Sequence, residues 1–198
     1  MNSVSDFDQL RQAFMADVIT GLHQDQKTIP CKWFYDETGS ALFEDITRTP
    51  EYYPTRVETA LLGAITPELS DIIPDLEAII EPGSGASVKT RLLLQSQPNL
   101  TTYLPIDISA EFLNSTAERL RIDFPDIDIW PVVGDFSTTF LPDQIGTDTE
   151  KLVFFPGSTI GNFNPDEALG LLKNFHALAG RRGWLLIGVD TTQDTDQL

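Results

Sequence analysis

Apolar positions along the chain keep two different periods, and the change falls near Pro74. Before it, Phe7, Leu10, Phe14, Val18 and Leu22 recur at spacings of three and four, the period of a helix with one buried face. Ser5 or Asp6 stands where such a helix takes its cap. A loop around Thr28-Ile29-Pro30 leads to Lys32-Trp33-Phe34-Tyr35-Asp36, then to a short helix through Ala41-Leu42-Phe43. Another helix is expected from about Arg56 to Leu69. Beyond Pro74, short apolar runs alternate with helical stretches. The runs Ala78–Ile80, Thr102–Ile106, Ile127–Val133, Leu152–Phe155 and Trp184–Val189 read as strands. Lys89–Gln95, Ala110–Ile122 and Pro165–Leu178 read as the helices between them, and the polar stretch Ser137–Glu150 as a loop or one short helix. The alternation predicts an α/β fold, a mostly parallel sheet of about five strands with helices on both faces. Residues 1–74 are expected to form a helical cap on a core spanning 75–198.

Composition narrows the partners. Thirteen Lys and Arg against thirty Asp and Glu leave a formal charge of −17, which repels nucleic-acid backbones and anionic membranes and suits a small-molecule ligand. Cys31 is the lone cysteine, so neither an internal disulfide nor a cysteine metal cluster can form. His23 and His176 have no evident partner for metal or triad chemistry, and no metal is expected. No apolar run approaches the ~18 residues of a membrane span. The acidic start, Met-Asn-Ser-Val-Ser-Asp-Phe-Asp, lacks the parts of a signal peptide, so a cytoplasmic location is expected.

The chemistry gathers where the first strand ends, at Glu81-Pro82-Gly83-Ser84-Gly85. Strand, glycine turn and helix bring backbone close to a nucleotide-like ligand. A dinucleotide fingerprint needs a third glycine three residues on, and that position is Val88, which argues against a nicotinamide-dependent oxidoreductase. The phosphate loop is absent too, because Lys89-Thr90 follows Val88 and not glycine. S-adenosylmethionine (SAM) fits better. Its amino-acid end is a zwitterion, so Glu81 can face the ammonium while Lys89 and the backbone N–H groups around Gly83 and Gly85 attend the carboxylate. Asp107 ends the second strand, where a carboxylate accepts from both ribose hydroxyls. Asp135-Phe136 follows the third, with an acceptor for the adenine amine and a ring to pack on the base. Singly, each is an ordinary loop acid or core aromatic. Together, at successive strand ends, they point to a class I SAM methyltransferase core.

Longer strings carry a resemblance. Lys32-Trp33-Phe34-Tyr35-Asp36, Leu42-Phe43-Glu44-Asp45-Ile46-Thr47-Arg48 and Pro50-Glu51-Tyr52-Tyr53-Pro54-Thr55-Arg56 are joined by the glycine turn with Lys89-Thr90-Arg91-Leu92-Leu93-Leu94. Pro105-Ile106-Asp107, Gly134-Asp135-Phe136 and Phe155-Pro156-Gly157-Ser158-Thr159-Ile160-Gly161-Asn162 continue the series. In this order, from about residue 28 onward, they resemble the SAM-dependent histidine-specific methyltransferases of ergothioneine biosynthesis. The resemblance implies a Rossmann-like fold and methylation of the α-amine of L-histidine toward the betaine hercynine. It implies that Tyr35, Gly83, Lys89, Asp107, Asp135 and Phe136 contact SAM. It also implies that Tyr52 holds the histidine imidazole and Asn162 its amino-acid end. Without it, Asn162 reads as a turn residue, Tyr52 and Tyr53 as packing aromatics, and Lys89 as a solvated helix residue.

The same family continues past the fifth strand with further strands and a lid that supplies an acid and a hydroxyl to the imidazole. No residue here inherits those roles, and Leu185-Leu186-Ile187-Gly188-Val189 is expected to be an apolar sheet edge of a kind proteins usually cover. Three explanations stand open: a fragment, a split enzyme completed by a second chain, or a short protein that pairs its edges as a homo-oligomer. A SAM-binding module without catalysis is the competing function.

Overall fold

The computed structural model describes residues 4–137, 145–146 and 148–191, with the side chains of 4–7, 9 and 10 excepted. The expected caps Ser5 and Asp6, the side chains of Phe7 and Leu10, most of the stretch between Ser137 and Glu150, and residues 192–198 lie outside the described residues.

Three helices precede the sheet: α1 (Val4–His23), α2 (Glu37–Thr47) and α3 (Tyr53–Ile72). A 3-10 turn, Cys31–Phe34, connects α1 to α2. Local chemistry sets the starts of α2 and α3. Asp36 caps α2 by accepting from the Gly39 N–H at 2.7 Å. Pro54 occupies the first turn of α3, where a missing N–H costs nothing. The apolar positions of α1 are less buried than their spacing suggests. Phe14 is 42% exposed and packs its edge on Trp33, with ring centroids 5.1 Å apart.

The sheet is parallel throughout. It contains β1 (Ala78–Pro82), β2 (Thr102–Asp107), β3 (Asp128–Ile129), β4 (Val132–Val133), β5 (Lys151–Phe155) and β6 (Gly183–Ile187). Their order is β3-β2-β1-β5-β6, with β4 also on β2. The expected single strand over Ile127–Val133 is therefore two short ones, and the cause is Pro105. The carbonyls of Thr101, Tyr103 and Asp107 accept from Asp128, Trp130 and Gly134 along this edge. Pro105 occupies the same alternation and has no N–H to return, so the ladder breaks opposite it.

Crossovers divide the helices between the two faces. From β1 the chain moves outward through α4 (Thr90–Ser96) to β2 and through α5 (Ala110–Asp123) to β3. It then returns to the other side of β1 as β5 and moves outward through α6 (Pro165–Ala179) to β6. One core cluster joins Ile79, Tyr103, Leu152 and Phe154 to Leu62 of α3, Leu93 of α4 and Leu120 of α5. The other joins Ile80, Leu104, Val153 and Phe155 to Leu171, Phe175 and Leu178 of α6. Successive strand residues thus feed opposite faces. The direction of winding reverses between β1 and β5, and open α/β sheets bind ligands in the crevice at such a switch point.

Among the described residues no helix is long and apolar enough to cross a membrane.

Leu93 is fully buried and Ile122 is 79% exposed. Leu93→Ala is expected to cost about 2–5 kcal/mol, read as a lower urea midpoint. Ile122→Ala should stay within about 0.5 kcal/mol.

Candidate functional site

The turn after β1 is built from three directions. Gly83 and Ser84 both donate their N–H groups to the carbonyl of Ile106, at 2.8 and 3.1 Å, which folds the turn over the end of β2. Gly83 has φ +70°, and a Cβ there would lie 3.2 Å from the Phe136 ring. The positive φ favours glycine, and any Cβ would press on the Phe136 ring. Gly85 has φ +50° and open space where a Cβ would stand, and its N–H donates to Asp107 Oδ2 at 3.0 Å. Asp107 Oδ1 accepts from the Ser109 N–H at 3.0 Å. Each carboxylate oxygen therefore has one fixed partner and spare lone-pair capacity.

Glu81 has a structural role that its place at the strand end did not announce. It is 2% exposed, and Oε2 accepts from the hydroxyls of Thr90 and Tyr103. Tyr103 and Ser87 hydroxyls lie 2.9 Å apart and complete the buried knot. One oxygen of the carboxylate is thus committed to structure, and Lys89 and Asp107 are its charged neighbours. Glu81 ties the start of α4 to β1 and β2 beneath the turn, and it steadies Ser87, a non-glycine residue at φ +52°. Burial drives the Glu81 carboxyl up to about 7, against the lowering effect of its bonds from Thr90 and Tyr103. Burial and the facing Glu81 likewise hold the Tyr103 phenol well above its ordinary value, so it remains a donor.

The other expected residues stand around this turn. The Phe136 ring is edge-on to Phe155 at 5.6 Å and to Phe163 at 6.5 Å, forming a wall beside Gly83. Asp135 Oδ1 accepts from the Ser137 N–H at 2.9 Å, and Oδ2 takes the Lys32 ammonium at 2.9 Å. Burial works against the charge on Asp135, but the Ser137 and Lys32 bonds prevail and hold it below the usual carboxylate range. Burial opposes the charge on Lys32 as well, yet Asp135 and Asp17 raise it above its ordinary value.

Tyr35, Phe43 and Tyr52 form an edge-to-face series with centroids 5.7 and 5.8 Å apart. Arg56 fixes the segment that presents Tyr52 by donating to the carbonyls of Thr49, Pro50 and Tyr52 at 2.7, 2.5 and 3.1 Å. Those bonds give the Pro50–Arg56 string its physical content. Burial, then the neighbouring Cys31, Tyr52 and Asp107, push the Tyr35 phenol up. Burial and Glu58 do the same to Tyr52. The aromatic series thus spans the space between the acid of β2 and α3.

On the β5 side, Lys89 pairs with Glu58 of α3, whose Oε1 and Oε2 also accept from the Gly157 N–H at 2.8 and 2.9 Å. Asn162 closes the 3-10 turn Thr159–Asn162 after β5 and is exposed. Tyr53 donates to Asp190, whose N–H reaches Ser158 Oγ at 3.0 Å, so the chain beyond β6 is drawn back toward α3. Sequence reasoning missed Lys32 and Glu58. Lys32 stood inside a string with no role assigned to it. Glu58 carried no signal at all, since one acid among thirty says nothing about which loop amide it will reach.

The profile of the SAM-dependent histidine-specific methyltransferases matches residues 14–198. The chain belongs to that family. A histidine N-alpha-methyltransferase of Mycobacterium tuberculosis is 36% identical over 189 residues, covering 94% of this chain and 58% of that protein. One from Mycolicibacterium smegmatis is 37% identical over 194 residues, covering 96% of this chain and 60% of that protein. The chain therefore spans about three fifths of these relatives. The magnesium protoporphyrin IX methyltransferase of Synechocystis with bound SAM superposes with a TM-score of 0.53. At 13% identity over 74% of this chain and 69% of that one, this likeness establishes the class I methyltransferase fold.

The Glu81 knot makes a pH prediction. Below about pH 4.5 the carboxyl is protonated in both folded and unfolded chains, and the full stabilising contribution of the buried neutral form is present. As pH rises through about 7 that contribution is lost, because the unfolded chain releases its proton first. The loss amounts to about 3 kcal/mol. Glu81→Gln removes the titration, so wild-type stability relative to the variant should fall between about pH 5 and about pH 8. Urea denaturation at the two pH values checks this; a difference that does not change would contradict the burial argument.

Proposed function

We propose that this chain binds SAM in the crevice between the ends of β1 and β5 and transfers methyl groups to the α-amine of L-histidine, toward hercynine. The observation that carries the reading is Asp107. It is pinned by the Gly85 and Ser109 N–H groups beside a turn whose glycines leave room for a ligand, and each of its oxygens keeps capacity for a ribose hydroxyl. Ser84 Oγ, buried without a hydrogen-bond partner among the described residues, adds a polar group to the same turn. These residues fit the cofactor of the family.

The sulfonium of SAM makes its methyl group electrophilic. The protein's work is then to align an amine with the S–CH3 bond and to exclude competing geometries. In this reading Asp107 holds the ribose, while Asp135, Phe136 and Tyr35 bound the adenine side. Gly83 and Gly85 permit backbone approach, and Lys89 takes the carboxylate of the methionine end. Tyr52 contacts the imidazole of histidine and Asn162 its amino-acid end. Tyr52 keeps its proton at neutral pH, since burial and Glu58 raise its phenol, and so acts as a hydrogen-bonding group and not as a base. Residues 1–74 serve as the cap that carries the aromatic series, and residues 75–198 as the cofactor core. A cytoplasmic location is part of the same reading.

A second reading has an observation of its own. Among the described strands, β6 has no partner on its outer side, and Leu185 is 42% exposed there. A copy of this chain or a complementing chain pairing at that edge would complete the substrate pocket, leaving this polypeptide as its cofactor-binding half.

Calorimetric titration with S-adenosylhomocysteine, followed by mass spectrometry of histidine incubated with SAM and the chain, separates the readings. Heat of binding and methylated histidine are expected from the first. Binding without product selects the second, and a folded chain that binds nothing refutes both. Asp107→Ala should weaken S-adenosylhomocysteine by about tenfold or more while Asn162→Ala leaves it nearly unchanged. The histidine KM should show the opposite pattern. Equal effects of both variants on both ligands would contradict the division of labour.

A further inference from the structure

The Lys89–Glu58 pair occupies the switch point itself. Lys89 immediately precedes α4 and follows the glycine turn of β1, Gly157 follows β5, and Glu58 reaches from α3 to both. The two side chains are mostly buried, with 17% and 16% of their surface exposed. The fit is close on the far side as well, since a Cβ on Gly188 would stand 1.8 Å from Glu58 Oε1.

Desolvated ions persist only where their hydrogen-bonding capacity is largely met. Here it is met in part. Lys89 offers three donors, and Glu58 about four lone-pair sites, of which Lys89 and the Gly157 amide use some. A positive and a negative group thus stand side by side in a crevice, both with unused capacity. An α-amino-acid end carries the mirror arrangement, a carboxylate and an ammonium on one carbon. Glu81 is the less accessible acid, 2% exposed with its Oε2 held by Thr90 and Tyr103.

We infer that Glu58 is the ammonium-binding residue of the site, and that the Lys89–Glu58 pair opens to admit the zwitterionic end of the cofactor. Lys89 takes the carboxylate and Glu58 the ammonium. One ion pair is exchanged for two, and the net charge of the crevice does not change. The Gly157 amide remains on Glu58 throughout and aims it. This assignment rests on the SAM reading given above and adds to it a residue from the helix before the sheet.

The test compares two ligands on the full chain. S-adenosylhomocysteine carries the amino-acid end; methylthioadenosine has the same adenosine thioether without it. Glu58→Gln keeps an acceptor for the Gly157 amide and removes the charge. It should weaken S-adenosylhomocysteine by about tenfold. Methylthioadenosine should stay within about twofold of wild type. Equal losses for both ligands would assign Glu58 a merely structural role, and no loss for either would remove it from the site; each outcome overturns the inference. Should Glu58→Gln fail to fold, the question moves to the ligand. Wild type should bind deaminated S-adenosylhomocysteine about tenfold more weakly than the parent. Equal affinity overturns the assignment. Wild type that binds neither S-adenosylhomocysteine nor methylthioadenosine sinks the SAM reading itself, and the Glu58 assignment with it, a result distinct from every variant-specific outcome.

Discussion

The buried carboxyl of Glu81 is the point on which the site depends. Thr90 brings the start of α4 to it, Tyr103 brings β2, and Ser87 joins through the Tyr103 hydroxyl. A glycine turn between a strand and a short helix has no rigidity of its own, because glycine is the least constrained residue in the chain. The knot beneath supplies that rigidity. It is a polar cluster in an apolar layer, in which the hydroxyls of Thr90 and Tyr103 meet on Glu81 Oε2 and Ser87 pairs with Tyr103. Burial strengthens such bonds and makes each unmet one costly, so the arrangement is held in one geometry. Asp107 then has a fixed Gly85 amide to bind, and Phe136 a fixed Gly83 to lie against.

Much of this was legible beforehand, and particular residues say why. The strands of the α/β core are short apolar runs bounded by Pro, Gly and Asp, so their existence and succession along the chain could be read from local pattern. The break opposite Pro105 was also written in the chain, but its meaning lies in the neighbouring strand, whose residues are about twenty-five positions away. Local period carries no such information. The same limit explains Glu81. An acid at a strand end does not announce which hydroxyls it will hold, and here they are those of Thr90 and Tyr103. Lys32 and Glu58 needed tertiary structure altogether, since they act across separations of 103 and 99 residues.

Charge offers a second lesson. A surplus of acids over bases argued against nucleic acid and membrane, but it says little about the crevice. There the two lysines that matter, Lys32 and Lys89, each sit against named carboxylates supplied by other elements. Electrostatic character at the site is therefore set by pairings and not by the net value, and it is local on the scale of a few ångströms.

The parallel sheet has a consequence for how the protein is made. Its central strand, β1, pairs with β2 on one side and with β5 on the other, and Ala78 lies opposite Lys151. A chain emerging from the ribosome can form the β1–β2 unit early, with the Glu81 knot and the Asp107 contact already inside it. The crevice has only one wall at that stage. Glu58 and Lys89 have emerged, yet the amide of Gly157 that aims Glu58 arrives only after β5. Contacts between such distant residues are slow to form, because the loop between them must first be closed. Synthesis thus sets an order of assembly in which the Asp107 wall of the crevice precedes the wall that carries Gly157.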